Sequence, residues 1–491
     1  MAHPVADPDP TADESFLREL PRKSRIRLYW LLAGCALLVL VPLALVVFSD
    51  EDPPDISDLA FTSREVPEVE NFYLAAVKWS KAINPDPDNL LDQTADTLGT
   101  GAVDSTESAD STRRHKYSTE RHEWREALYD GKGWTPALRD ELRPKLEPFA
   151  REFLRIVDLP ATQAPLHRSL EAEYEYGQFS QGWQAVRLAA WMAYSDYDYT
   201  GAARLALAGL RGAQRIMASE GPLTVWRVAV VRYRQMTVMV HDMAARPESG
   251  PDFVRALLEG VGTASVKEDG YVASVRHEAS AGLAALQSFS REARAAFFSS
   301  TFRSPEPPPA IETIHALARP LVYKRNRTMR LYADQARRAL RVTDATLAEL
   351  AVRLPEKGEL PDTGNWKVFH PSNLIGRVVL YMQLPSFRRA AEVRLAYLSC
   401  QSALRAFLAA RLHELEHGEL PATLDDLVPG YLPAVPLDYI DRRPIRYDRD
   451  LRAVWSLGME NLTTPPPVPG KNEIWYKAIY RFPAIKPEQA Q

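Results

Sequence analysis

The residue types best suited to chemistry lie in one short run, His413, Glu414, Leu415, Glu416 and His417. Formally this is H-E-x-x-H, in which two imidazoles one helical turn apart hold Zn²⁺ and the intervening glutamate activates a water. Taken alone, it makes the chain a zinc metallopeptidase with His413 and His417 as ligands and Glu414 as base. The surrounding residues argue the other way. At 100° per residue the two histidines fall roughly 140 to 180° from Leu404 and Leu408, away from the apolar stripe of their helix. Glu416 adds a charge between them, Gly418 ends the helix at once, and no glutamate occurs between Leu420 and Val454 as a downstream third ligand. The preferred reading therefore contains no catalytic residue, cofactor or metal, and the zinc enzyme stands as its alternative. No G-x-S-x-G elbow, phosphate-binding G-x-x-x-x-G-K, dinucleotide fingerprint or C-x-x-C is present, and the adjacent His241 and Asp242 read as surface residues.

The element that carries the histidines is a helix over residues 395–417, with Tyr397, Cys400, Leu404, Phe407, Leu408, Leu412 and Leu415 on one stripe. Gly418 is its C-cap and Pro421 opposes resumption. Upstream, residues 117–384 read as helical throughout, because apolar residues recur at three and four and strand alternation is missing. The clearest pair is 182–194 and 201–219, joined by Ser195, Asp196, Tyr197, Asp198, Tyr199 and Thr200. This hairpin is similar to one tetratricopeptide unit, with Ala202 and Ala206 where the second helix must approach closely; no 34-residue period surrounds it. Further helices are expected at 223–244, 252–260, 279–298, 311–341 with a break at Pro320, and 344–354. Prolines at 304–309 make a stiff connector. The basic run Lys324, Arg325, Arg327, Arg330, Arg337, Arg338 and Arg341 reads as a solvated helix face, with an anionic partner or lipid headgroups as the competing use.

Residues 28–48, from Leu28 to Phe48, form an apolar run long enough to cross a bilayer as a helix. Arg18, Arg22, Lys23, Arg25 and Arg27 precede it, whereas Asp50, Glu51 and Asp52 follow, so the N-terminus is expected in the cytoplasm and the rest outside. No small-residue cleavage site closes the run, and Cys35 lies too early in it for a lipid-modified cysteine, so a permanent anchor is expected. Cys400 then has no partner in the chain. A formal net charge of -4, together with export, gives no argument for nucleic acid. Residues 1–27 read as a cytoplasmic tail, and 49–116 as a spacer holding one helix, with Phe72, Ala76 and Trp79 at helical spacing, before an acidic linker at 84–112.

After the 395–417 helix, Thr423 can cap a short helix, Pro429 and Gly430 turn the chain, and 444–447 and 453–456 suit an antiparallel pair, with a last strand or turn at 473–478 beyond the prolines of 463–470. The order H-G-x-L-P, T-L-D-x-L-V-P, x-Y-L-x-x-V-P-x-D, R-P-I-R-Y, W-S-L-G resembles the globular part of the type II secretion major pseudopilin. More closely, the chain resembles uncharacterised single-span bacterial proteins of planctomycete and verrucomicrobial type that end in this module and carry a short helix after the span, as Asn71, Phe72 and Tyr73 suggest. The match covers 395–458. The membrane run lacks the glutamate at its head that a pseudopilin carries, and Asn461 and Leu462 follow Ser456, Gly458 and Glu460 where a calcium cage needs oxygens. The apolar run, its flanking charges and the helical periodicity lead to the expectation of a mainly α, single-pass inner-membrane protein with a helical domain at 117–384, and the resemblance adds that it is bacterial and ends in a pseudopilin-like α+β module at 385–491 in the periplasm. Its expected function is that of a non-catalytic scaffold with a protein partner in the cell envelope.

Overall fold

The described chain of the computed structural model comprises residues 29–31, 33–34, 37–38, 50–61, 66–82, 131, 133–164, 178–262, 270–288, 324–354, 373, 376, 380, 385–458 and 478–483. It is mainly helical with one small sheet. In order the helices are α1 (Phe72–Ala82), α2 (Pro136–Ile156), α3 (Gln178–Ser195), α4 (Tyr199–Ala218), α5 (Leu223–Ala244), α6 (Pro251–Gly262), α7 (Tyr271–Ser288), α8 (Arg325–Arg341), α9 (Leu347–Arg353) and α10 (Pro385–His417). Three short strands follow, β1 (Arg446–Asp448), β2 (Ala453–Trp455) and β3 (Ile479–Arg481). They form one antiparallel sheet in sequence order, with Tyr447 opposite Val454 and Val454 opposite Tyr480.

The chain divides into two compact units. The first gathers Met1–Pro54, Leu286–Leu331 and Leu360–Met382. Within it Asp50 serves as a cap from a distance: its carboxylate accepts the backbone N–H groups of Asn326 (2.8 Å) and Arg327 (3.3 Å), first-turn donors of α8 that have no partner inside the helix. Glu51 lies 3.3 Å from Arg330 and 3.8 Å from Arg327. The basic run read as a solvated face thus has carboxylate partners of its own. Among the described residues no helix is long and apolar enough to cross a membrane. Of the run 28–48 only Tyr29, Trp30, Leu31, Ala33, Gly34, Leu37 and Leu38 are described, all helical and exposed. Residues 1–27, 84–112, 304–309 and 463–470 lie outside the described residues.

The second unit gathers Asp55–Ala285, Tyr332–Glu359 and Gln383–Gln491. Its core begins at α1, whose Phe72, Tyr73, Ala76 and Trp79 are buried, and Trp79 donates to the carbonyl of Phe149 (3.0 Å) on α2. A helix expected in a spacer is therefore built into the main body. Thr135 caps α2 by accepting from Leu138 N–H (3.2 Å), Pro136 sits in the first turn, and the helix continues through Pro144 and Pro148. Two internal prolines each remove a backbone donor, which is why helical periodicity there is hard to recognise from sequence. The α3–α4 hairpin forms as expected, with Asp198 capping α4 through Gly201 N–H (2.9 Å) and with Ala202 and Ala206 fully buried. At Gly212 a Cβ would stand only 3.0 to 3.2 Å from the rings of Phe153, Trp183 and Phe72, so a hydrogen there lets three helices reach α4.

Several boundaries differ from expectation for local reasons. Helix α10 starts at Pro385, ten residues before Leu395, because Phe387, Ala390 and Ala391 continue its buried face. Helix α7 starts at Tyr271, not at residue 279, and buries Tyr271 and Val275. Helix α9 begins after Thr346, whose reciprocal bonds with Glu349 close a capping box. Gly418 does terminate α10, at φ 81°, its N–H on the carbonyl of Glu414 (2.8 Å). The C-terminal module belongs to the same unit as the helices: α10 packs along α5 and α6, with Tyr397 edge-on to Tyr233 at 4.8 Å.

Candidate functional site

The three residues of the zinc motif sit in the last turn and a half of α10, and their side chains part company. Glu414 turns toward the sheet, where Arg411 (2.6 Å) and Arg452 (2.5 Å) bind its two carboxylate oxygens. Its side chain is only 12% exposed, so it is a bridging anion held by two guanidinium groups. A carboxylate so occupied is poorly placed to take a proton from a metal-bound water. His413 and His417 lie on the outer side, their rings stacked 4.3 Å apart at 20°. The Nδ1 of His417 is 3.1 Å from the carbonyl of His413, and the Nδ1 of His413 is 3.1 Å from the carbonyl of Glu419. Parallel imidazoles present their nitrogens side by side, whereas tetrahedral zinc needs them convergent with further donors. Among the described residues no group of three His, Cys, Asp or Glu side chains is arranged to hold a metal.

Glu416 faces a third way. It accepts from the hydroxyl of Tyr431 (2.5 Å) and pairs with Arg255 of α6. The hydrogen bond from Tyr431, with Arg255 assisting, holds its carboxyl below the usual glutamate range, while burial and the same bond push Tyr431 up to about 12. The helix end thus works as a junction between α6, α10 and the loop after it.

The His241 and Asp242 pair forms a contact, 2.9 Å between Nδ1 and a carboxylate oxygen, and the opposite nitrogen accepts the backbone N–H of Arg481 (3.1 Å). His241, expected as a surface residue, is therefore a clasp between α5 and β3, packed against Phe407 and Tyr480. Cys400 is buried and unpaired with any cysteine, its sulfur 2.9 Å from the hydroxyl of Tyr480 and 3.4 Å from that of Thr237.

One charged residue that sequence reasoning left without a role stands out. Asp438, the aspartate of the V-P-x-D segment, is fully buried. One of its oxygens accepts from Ser399 (2.8 Å), Ser456 (3.0 Å) and Ile440 N–H (3.1 Å), the other from Arg446 (2.5 Å) and Leu457 N–H (2.9 Å). Arg446 also pairs with Asp441. The carboxylate thus ties α10 to both sides of the sheet hairpin. The spacing between V-P-x-D and R-P-I-R-Y was the available signal, but Ser399 and Ser456 come from distant parts of the chain.

The remaining candidate surface flanks α4. On one side, between α4 and α6, lies a groove of about 620 Å³ whose lining includes Tyr199, Leu207 and Phe253. On the other, between α2 and α4 over α3, lies one of about 530 Å³. The hairpin turn stands between them, anchored where Asp196 receives Arg139 and Arg143, each at 2.7 Å. No protein-family model, curated protein or solved structure matches the chain.

Proposed function

We propose that the protein is a non-catalytic scaffold or binding protein of the bacterial cell envelope, held in the inner membrane by residues 28–48 with its N-terminus cytoplasmic and its body in the periplasm. The observation that carries the binding part is the fate of Glu414: the glutamate of the H-E-x-x-H motif is bound by Arg411 and Arg452, while the helices around α4 leave two open grooves. The tetratricopeptide-like hairpin and the pseudopilin-like ending of the chain support the same reading, as elements that present surfaces. The apolar run with its basic leader supports the anchor, and in the first unit Asp50 and Glu51, directly after that run, are bonded to α8.

The test is elemental analysis of the full chain, purified in detergent, beside its His413→Ala, His417→Ala double variant. Neither protein is expected to carry stoichiometric zinc. One zinc per chain that vanishes in the double variant would replace the scaffold by a membrane-anchored metallopeptidase using His413, His417 and Glu414. The anchor is tested separately: the protein should stay with membranes through alkaline extraction, and release into the wash would overturn it.

A further inference from the structure

The groove between α2 and α4 holds charged groups of two kinds. Its anions are already engaged: Glu147 with Arg143 (3.4 Å), Asp196 with Arg139 and Arg143, and Asp198 with Gly201 N–H. Of its cations, Arg143 and Arg155 are engaged as well, Arg155 with Glu152 at 2.6 Å. Arg151 and Arg204 differ. They stand on opposite walls, one on α2 and one on α4, both exposed, and among the described residues neither has an ion-pair or hydrogen-bond partner. Between them Ala189 and Met192 of α3, with Leu154 and Leu205, make an apolar floor. Arg204 also lines the groove on the other side of α4.

At the end of this groove the hairpin turn carries Tyr197 in the left-handed region, φ 61°, with the side chain 76% exposed. Glycine or asparagine takes that conformation at lower cost, and a ring so exposed returns little to the fold. Its only ring neighbour among the described residues is Tyr199, 6.4 Å away edge-on. The turn residues on either side of Tyr197, Asp196 and Asp198, line the groove that holds the two arginines, and exposed aromatic and arginine side chains are the types in which binding energy concentrates at protein interfaces.

We infer that this groove binds an extended acidic segment of a partner protein, with carboxylates on Arg151 and Arg204, an apolar side chain between them on the α3 floor, and Tyr197 closing over the end. The guanidinium fork matches a carboxylate in two parallel hydrogen bonds, so glutamate or aspartate fits better than a neutral amide. The inference rests on the binding part of the proposed function and not on the membrane anchor.

The experiment uses the full chain in neutral detergent and a fluorescent peptide set with the core Glu-Glu-x-Glu-Glu, where x is Leu, Met or Phe, against the same set with Lys for Glu. Binding is followed by anisotropy at low and high salt. The acidic set should bind with salt-sensitive affinity and the basic set should not. The Arg151→Glu, Arg204→Glu double variant should lose at least about tenfold toward the acidic set and gain the basic one, at an unchanged melting temperature. Tyr197→Asn should weaken binding while raising the melting temperature. No preference for the acidic set, or a preference that survives charge reversal of both arginines, would overturn the assignment. Release from membranes in alkaline extraction would remove the anchor and leave the peptide result standing, so the two failures are distinguishable.

Discussion

The junction around Asp438 and the groove beside α4 use arginine in opposite ways. At the junction, Arg446 meets a fully buried carboxylate that also takes two serine hydroxyls and two backbone N–H groups, so every charge has its counterpart inside the protein. In the groove, Arg151 and Arg204 have none among the described residues. A buried charge is tolerated only with its partners in place, whereas an exposed one adds little to stability whether paired or not. The contrast separates residues that hold the fold from residues left over for something outside it.

The sharpest way to break the contrast is Asp438→Ala. It strands Arg446 beside Asp441 alone and leaves two buried hydroxyls and two N–H groups without their acceptor, and should cost about 3 to 5 kcal/mol in denaturant unfolding of the full chain. Glu414→Gln should come next, at about 2 kcal/mol, since it removes the charge shared by Arg411 and Arg452. If Glu414 were instead a catalytic base, the same change would leave stability near wild type. Tyr197→Asn acts in the other direction, with a gain of about 0.5 to 1 kcal/mol from relief of the left-handed backbone, read as a rise in melting temperature.

The smallest effect is set by pH. The folded-state pKa of Glu416 lies below the ordinary glutamate value of 4.5, because Tyr431 and Arg255 favour its ionised form. Its contribution is therefore complete above that value and is lost as pH falls from there through the lowered one. Comparing wild type with Glu416→Gln across this acid window, the stability difference should shrink toward zero at the low end. A difference that stays constant would mean that the Tyr431 bond does not depend on charge.

How much of this was legible in the sequence depends on the range of the forces involved. The helix over 223–244 was read to the residue, and the α3–α4 hairpin and the Gly418 cap were readable because periodicity, capping and left-handed glycine are local. Helix α2 was not assigned a boundary, since Pro144 and Pro148 speak against a helix that tertiary packing nonetheless sustains. The roles of Glu414 and Asp438 were hidden for a different reason. Glu414 meets Arg452 across 38 positions and Asp438 meets Ser399 across 39, and no spacing rule reports a contact at that separation. The motif H-E-x-x-H was legible as text, but only the direction of each side chain tells that Glu414 turns inward to its arginines while the two histidines stack on each other outside.

The missing methyl at Gly212 has a consequence that reaches the surface. Rings from α1, α2 and α3 all close on that point of α4, so it acts as a shim whose thickness fixes how far apart the helices stand. Adding one carbon there would spread α2 from α4 by a few tenths of an ångström and widen the cleft above, retuning whatever the cleft accepts through a change made entirely in the interior.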